Sequence, residues 1–442
     1  MAVNKQSLSH SMRVNLKTLG CRLNEAELEN WAQKFQQKGH KIVKNAEEAN
    51  LVVLNTCAVT GEAVRKSRQS IRRIHRGNPS AKLVVSGCYA SLKPEEVAES
   101  LGVDLVVLNQ DKERLVELTE TELDLKSMPQ LSTEPGEVAL FSRGRQRAFV
   151  KVQDGCRYRC TFCIVTHARG DEKSRAITEI TDEINNLHSQ GIQEVILTGV
   201  HLGGYGNDVD CNLTELIEAI LANTSLPRIR LGSLEPWDLP NGFFDLFANK
   251  RLMPHLHLPL QSGSDAVLKR MARRCKTEEF SQIVHEARET VPSINITTDI
   301  IVGFPGETES EWQESFDFIE QTAFGHIHIF TYSPREGTKA ATLPNQLTQA
   351  VKKGRSHQLH QLAEKMKTAF FEQQLGQSTP VLWEGNLDNI GTESTTIFGY
   401  TPNYTRVSTL TEVADKLINS IHLTSLENVS SDRKHIESAI ID

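Results

Sequence analysis

The chain has 442 residues, room for two or three domains, and its 38% hydrophobic and 24% charged residues make an ordinary globular composition. No apolar run of about 18 residues occurs and the first residues have no apolar core. The expectation is therefore a cytoplasmic chain with no membrane span, whose eight cysteines are reduced. The formal net charge of −7 gives no general attraction for nucleic acid, so any such contact must come from local charge.

Residues 10–125 read as alternating strand and helix. MRVNLKTLG is strand-like, and LNEAELENWAQKFQQKG follows as a helix with Leu28, Trp31, Ala32 and Phe35 on one face. Asn24 with Glu27 predicts a capping-box start for it, and Gly39 a stop. ANLVVLNTC, AKLVVSGC and VDLVVLN are further strands, separated by helical stretches. That alternation predicts an open parallel sheet, because a parallel crossover needs a helix-sized connection. Residues 126–145, polar and with two prolines, read as a linker. Residues 146–375 alternate again, with apolar runs at AFVKVQ, EVILTGV, RIRLGSL, HLHLPLQ, INITTDIIVGF and HIHIFTYS. Six such repeats predict a partial (βα)6 barrel. The tail, residues 376–442, turns strand-rich and reads as a small β-barrel.

Three thiols stand close together in QDGCRYRCTFCIVTHARG: Cys156, Cys160 and Cys163, spaced C-x3-C-x2-C. A structural zinc site is closed by four ligands, and His167 would complete the count, so zinc is open by arithmetic. An iron–sulfur cubane has four irons, so three cysteines leave one iron free to chelate the amino and carboxylate groups of a small molecule. The loop follows the strand AFVKVQ, at the end where barrel active sites form. Phe162 precedes the last cysteine. Farther along, GVHLGGYG follows a strand, and its glycines are read as letting backbone approach a ligand. Thr198 and Gly199 open that loop, and Ser233 and Glu235 put polar groups at the next strand end.

Three more cysteines are dispersed. Cys21, Cys57 and Cys88 each stand at or just past the end of a predicted strand, in KTLGC, VVLNTC and LVVSGC. In a parallel sheet those ends line one edge, so the three are expected to meet in space as a second site. A buried cysteine commonly serves as a small hydrophobe, which explains one such residue but not three repeats. Cys211 and Cys275 fit neither set and read as unliganded.

The C-x3-C-x2-C loop with its aromatic Phe162 resembles the signature of radical S-adenosylmethionine enzymes. GCRLNEAELE, NTCAVTGEA, SGCYA, LPLQSGSDAVLKRMAR and IVGFPGET together resemble the methylthiotransferase family over nearly the whole chain. That resemblance implies a fold of three parts: an α/β domain with three cluster cysteines, a radical S-adenosylmethionine barrel and a C-terminal TRAM β-barrel. It implies two [4Fe-4S] clusters, held by Cys21, Cys57 and Cys88 and by Cys156, Cys160 and Cys163. It also implies S-adenosyl-L-methionine held near Phe162, Thr198, Gly199, Ser233 and Glu235. The implied activity installs a methylthio group on C2 of an adenosine beside the anticodon of tRNA, with an electron donor such as a flavodoxin or ferredoxin and a sulfur donor as partners. HARG after the third cysteine and GYTPNYTRV in the tail resemble the branch acting on threonylcarbamoyladenosine. Alternatives are isopentenyladenosine in tRNA, an aspartate of a ribosomal protein, or a zinc-bearing RNA-binding module without catalysis.

Local charge favours RNA. Residues 63–94 contain eight Lys or Arg and no Asp or Glu, and Arg72, Arg73 and Arg76 lie on the helix leaving Cys57. FSRGRQRAFVK, at 141–151, is basic too. Tyr400, Tyr404 and Arg406 are of types that stack on RNA, although tyrosines in a small barrel more often serve its core.

Overall fold

The structure, a computed structural model, describes residues 11–123, 146–385 and 395–441. The expected linker at 126–145 lies outside the described residues. The chain divides into two compact units: the described residues of Met1–Ser142 with Ile164–Gly170, and those of Arg143–Cys163 with Asp171–Asp442.

In the first unit, β1 (Arg13–Thr18), β2 (Lys41–Ile42), β3 (Leu51–Thr56), β4 (Lys82–Gly87) and β5 (Leu105–Val107) form one sheet in the order β2-β1-β3-β4-β5. Every pair is parallel. Side chains alternate across a strand, so β3 serves two cores. Leu51 and Val53 pack with Trp31 and Phe35 of helix α1 (Arg22–Gln37), while Val52 and Leu54 pack with Ile71 and Ile74 of helix α2 (Gly61–Gly77). A sheet covered on both faces needs apolar residues at successive positions, which is why β3 reads LVVL. Full burial of each such side chain stabilises the fold by roughly 1.5–3 kcal/mol.

The start of α1 departs from expectation. The N-cap is Cys21, and Asn24 and Glu27 lie inside the helix, buried. Their polar atoms are drawn into tertiary contacts instead of the cap. Asn24 Nδ2 donates to the carbonyls of Leu19 and Thr56, and Asn55 Nδ2 donates to Glu27 Oε2. The helix ends as expected, with Lys38 as C-cap and Gly39 following at φ +86°.

In the second unit, β6 (Arg147–Lys151) leads to a short antiparallel pair, β7 (Gln153–Asp154) and β8 (Lys173–Ser174). Then come β9 (Glu194–Thr198), β10 (Arg228–Leu231), β11 (His255–His257), β12 (Asn295–Val302) and β13 (His326–Thr331). β6, β9 and β10 form one parallel sheet, and β11, β12 and β13 another. Parallel bridges Ile229↔Leu252 and Ser233↔His257 join them, giving six parallel strands in the expected partial barrel. Helix Gln349–Glu372 follows and packs along β13.

The tail closes into a barrel of β14 (Ser378–Glu384), β15 (Thr395–Tyr400), β16 (Arg406–Thr411), β17 (Ile421–Val429) and β18 (Ile436–Ile440) around Val381, Trp383, Ile397, Val407 and Leu426. This barrel sits against the residues that begin the parallel strands. Arg228 donates to the carbonyls of Tyr400 and Pro380 at 2.9 and 2.7 Å, and Arg230 donates to that of Pro402 at 2.9 Å. Arg147 donates to Glu384 at 3.0 Å. Tyr400 and Tyr404 stack at 4.8 Å, with the Arg147 guanidinium 4.4 Å from the first ring and that of Arg230 4.5 Å from the second. These tyrosines are thus engaged in joining two barrels rather than presented to RNA. Arg406 lies over Phe398 at 4.1 Å.

Candidate active site

Cys156, Cys160 and Cys163 lie between β7 and β8, beyond the C-terminal end of β6. All three are partly exposed. The Cys163 amide donates to the Cys160 carbonyl at 3.0 Å, a turn that folds the loop on itself. The segment between is pinned on both sides: the Thr161 amide donates to Met271 O, Thr161 Oγ1 donates to Arg270 O, and the Ala340 amide donates to Thr161 O. Phe162 is partly buried against Val267, Met271, Phe304, Tyr332 and Ala340, so its ring anchors the loop. Burial, then the neighbouring Cys163 and Cys160, push the Cys156 thiol up to about 12. Three soft donors at close quarters suit a cationic iron–sulfur group, whose charge offsets thiolate repulsion.

A charge network surrounds this loop, and of its members the sequence pointed only to Glu235. Arg273, buried, donates to Glu235 at 2.7 Å, lies 3.8 Å from Cys160 Sγ and stacks 4.3 Å over Trp237. Burial pulls the Arg273 pKa down, but Glu235 and Cys160 outweigh it, so the guanidinium is held charged. His201 Nδ1 is 2.5 Å from Glu172 and Nε2 is 2.6 Å from Asp238. Both ring nitrogens face carboxylates, which is the arrangement of an imidazolium. Burial opposes the charge, yet Asp238 and Glu172 raise the His201 pKa. Tyr158 Oη donates to Asp238 at 2.8 Å and ties this network to the cysteine loop. Glu172, His201, Asp238 and Arg273, of mixed type and tens of positions apart, leave no spacing signal in a sequence.

Thr198 ends β9 and is buried, Ser233 is exposed past β10, and Glu235 is partly exposed and paired as above. Two glycines of GVHLGGYG lie close against protein on their Cβ side. A Cβ on Gly199 would stand 2.9 Å from Gln153 Oε1, and one on Gly206, at φ +91°, 1.9 Å from the Cys211 carbonyl oxygen. Cys211 is partly exposed, and Cys275 is a buried thiol whose Sγ donates to the Lys276 carbonyl.

In the first unit, Cys21 follows β1, Cys57 follows β3, and Cys88 follows β4 and opens a short helix. β1, β3 and β4 are adjacent, so parallel pairing sets the three cysteines along one sheet edge. Cys57 and Cys88 are buried and Cys21 is exposed. Their thiols are close enough to act on one another: burial and then Cys88 and Cys21 raise the Cys57 pKa. Gly20, at φ +111°, passes so near that a Cβ there would stand 2.7 Å from Cys57 Cβ and Sγ. The donor set therefore fits a thiolate-bound cluster as well as the barrel loop does.

Beneath this edge lies a buried ionic group. Arg169 donates to Glu27 Oε1 and to Asn24 Oδ1, each at 2.8 Å, and Lys112 donates to Glu27 Oε1 at 2.6 Å. The side chains of Glu27, Lys112 and Arg169 are 2%, 5% and 2% exposed, so this carboxylate meets both cations away from water. Asn24 Oδ1 in turn lies 3.7 Å from Cys21 Sγ, and Asn109 Nδ2 4.0 Å from Cys88 Sγ.

Helix α2 leaves this edge from its N-cap Thr60. Its first basic residues are taken: Arg65 and Lys66 pair with Glu62, and Arg68 with Glu96. Arg72, Arg73 and Arg76 are exposed and have no carboxylate partner among the described residues.

Comparison with known proteins agrees with both halves. The model of an uncharacterized protein family, UPF0004, matches residues 13–108, and that of the radical SAM superfamily matches residues 150–319. The chain is 36% identical over 406 residues, 89% of each chain, to the threonylcarbamoyladenosine tRNA methylthiotransferase MtaB of Bacillus subtilis (strain 168). It is 36% identical over 380 residues to the protein of that name from Aquifex aeolicus (strain VF5), covering 84% of this chain and 92% of the relative. It is also 32% identical over 397 residues to the tRNA-2-methylthio-N(6)-dimethylallyladenosine synthase of Oceanobacillus iheyensis, covering 86% of this chain and 76% of the relative. Among solved structures, the fold matches the radical S-adenosylmethionine methyltransferase TsrM of Kitasatospora setae, with TM-score 0.58 and 18% identity over 75% of this chain and 77% of that one. The spacing of one cysteine set, the strand-end placement of the other and these relatives agree: the chain belongs to the methylthiotransferase family of radical S-adenosylmethionine enzymes.

Proposed function

We propose that this protein methylthiolates C2 of threonylcarbamoyladenosine beside the anticodon of tRNA. The observation that carries the reading is the coexistence of two three-cysteine sets, one on a barrel loop and one on a sheet edge, in a chain whose 36%-identical relatives bear that substrate in their names. In this reading residues 10–125, 146–375 and 376–442 are three domains. Cys156, Cys160 and Cys163 hold one [4Fe-4S] cluster, and Cys21, Cys57 and Cys88 hold a second. Two clusters and S-adenosylmethionine supply, when bound, the electron, the radical and the sulfur of the reaction.

The chain's own residues position and insulate. Phe162 fixes the cysteine loop, Arg273 holds Glu235 beside Cys160, and Thr198, Gly199, Ser233 and Glu235 line the strand ends where S-adenosylmethionine binds. The small barrel closes the far end of the parallel strands, which keeps a reactive intermediate from water on that side. Arg72, Arg73 and Arg76 grip tRNA phosphates. An electron donor such as a flavodoxin or ferredoxin and a sulfur donor complete the set of partners. Among the described residues no helix is long and apolar enough to cross a membrane.

The test is mass spectrometry of tRNA nucleosides from a deletion strain. The expected result is accumulation of threonylcarbamoyladenosine without its methylthio form. Loss of methylthio-dimethylallyladenosine instead, with the threonylcarbamoyl product intact, assigns the chain to the other substrate.

A further inference from the structure

The inner wall of the six-stranded barrel carries a polar group that the activity described so far does not use. β11 pairs with β12 so that His257 faces Thr297, and β12 pairs with β13 so that Asp299 faces His328. Side chains alternate, so His255 and His257, Thr297 and Asp299, and His326, His328 and Phe330 share one face. That face is the barrel interior: the His255 ring lies 5.0 Å from Tyr404, within the Arg147 and Arg230 group. His257 is bridged to Ser233, past the end of β10, so the wall reaches the end of the strands where barrel chemistry occurs.

The geometry of the group is tight. His257 Nε2 is 3.2 Å from Asp299 Oδ1, and His257 Nδ1 is 2.9 Å from Thr297 Oγ1. The His257 and His328 rings meet edge to face at 5.5 Å, and His326 stands 4.8 Å from His328. One donor or acceptor atom from each of His257, Asp299 and His328 lies within 4.8 Å of the others. Asp299 and His257 are partly buried, while His328 is exposed and Phe330 is 45% exposed beside it. A half-buried polar row ending in an open aromatic is a wall that something else covers.

We propose that His257, Asp299 and His328 receive the N6 substituent of the target adenosine, with Phe330 against its base. This rests on the threonylcarbamoyl reading and deepens it. That substituent offers a urea N–H and a hydroxyl as donors and a carbonyl and a carboxylate as acceptors. The His328 imidazole takes an acceptor, Asp299 takes the urea N–H or the hydroxyl, and His257, whose two ring nitrogens face Asp299 and Thr297, positions Asp299. Repulsion between Asp299 and the substrate carboxylate is limited because His257 faces the Asp299 oxygen. A dimethylallyl group offers no hydrogen bond at all. Covering this wall with it would strip water from the exposed His328 and the partly buried Asp299 without replacement, and sites built to hydrogen-bond reject analogues that cannot.

The experiment uses the full chain, reconstituted anaerobically, with two tRNA substrates, one carrying threonylcarbamoyladenosine and one dimethylallyladenosine. His328→Leu should raise KM for the first by roughly tenfold, about the worth of one hydrogen bond, with kcat little changed. His328→Gln, which keeps an N–H donor, should recover most of that loss, and a merely structural role would not produce that rescue. Wild-type turnover on threonylcarbamoyl tRNA with an unchanged KM in His328→Leu overturns this assignment alone. Wild-type turnover on dimethylallyl tRNA only removes the substrate reading beneath it. The same three side chains form a two-histidine, one-carboxylate ligand set. A transition ion beyond cluster iron, lost in His328→Leu, would make them a metal centre and overturn the proposal.

Discussion

The two cysteine sets reach similar arrangements by opposite routes. Cys156, Cys160 and Cys163 are neighbours in sequence, and one pinned loop gathers them. Cys21, Cys57 and Cys88 are separated by tens of residues, and only the parallel pairing of β1, β3 and β4 brings them to one edge. The first set depends on local turns and on Phe162 as an anchor. The second depends on a whole sheet and on the buried Glu27–Arg169–Lys112 group beneath it. A local site should therefore survive damage elsewhere, while a dispersed one should fail with its domain.

The largest expected effect separates the roles. Cys160→Ala should abolish 5′-deoxyadenosine formation, because the cluster of the barrel loop is where S-adenosylmethionine is reduced in the proposed reading. Deoxyadenosine and methylthionucleoside are measured on anaerobically purified protein. Normal deoxyadenosine from this variant would dissolve the distinction between the two sets.

Cys57→Ala is the counterpart. It should remove about half the iron after reconstitution, since each cubane carries equal iron. The variant should cleave S-adenosylmethionine reductively and make no methylthio product. Full iron content with normal product would make the strand-end cysteines ordinary core residues. Circular dichroism establishes first that the variant is folded.

The dependence of the second set on its domain is tested at Glu27. Glu27→Ala removes a carboxylate partner from buried Arg169 and Lys112, and breaking such a group costs about 3–5 kcal/mol. Urea unfolding should show that loss, with the first unit melting earlier and the iron of the Cys57 set falling with it. Glu27→Gln keeps the shape and part of the hydrogen bonding, so it should lose less. A Glu27→Ala protein as stable as the wild type would mean the cations reach water or another anion.

What the sequence disclosed follows the same division. Strands such as β3 were legible because both faces are buried and the apolar run is continuous. The barrel loop was legible from its spacing together with its place after a strand. The strand-end cysteines were legible only through the predicted strands. Asn24 and Glu27 looked like a helix cap because their types and spacing fit one, yet tertiary partners outcompeted the cap. His201, Glu172, Asp238 and Arg273 were not legible, since their meaning lies in contacts across loops of unrelated length. The tyrosines of the tail were ambiguous in type, and it is the arginines of β6 and β10 that recruit them to the barrel junction.

The smallest effect concerns the helix that leaves the dispersed set. Basic residues on α2 are of two kinds. Those of its first half are paired with Glu62 and Glu96, whereas Arg72, Arg73 and Arg76 are exposed without a carboxylate partner among the described residues. Part of that charge has a local explanation, because cations near a helix C-terminus interact favourably with its dipole by about 0.3–1 kcal/mol. The rest is free to meet phosphate. Replacing all three with Ala should weaken tRNA binding and lower the slope of log affinity against log salt by roughly 2–3, since each phosphate contact releases about 0.7–0.9 of a counterion. Binding is measured by filter retention at several salt concentrations. Arg65→Ala, which removes a residue already paired with Glu62, should change that slope less than any one of the three. An unchanged slope in the triple variant would show that this end of α2 faces only solvent, and would move the RNA grip to a different surface.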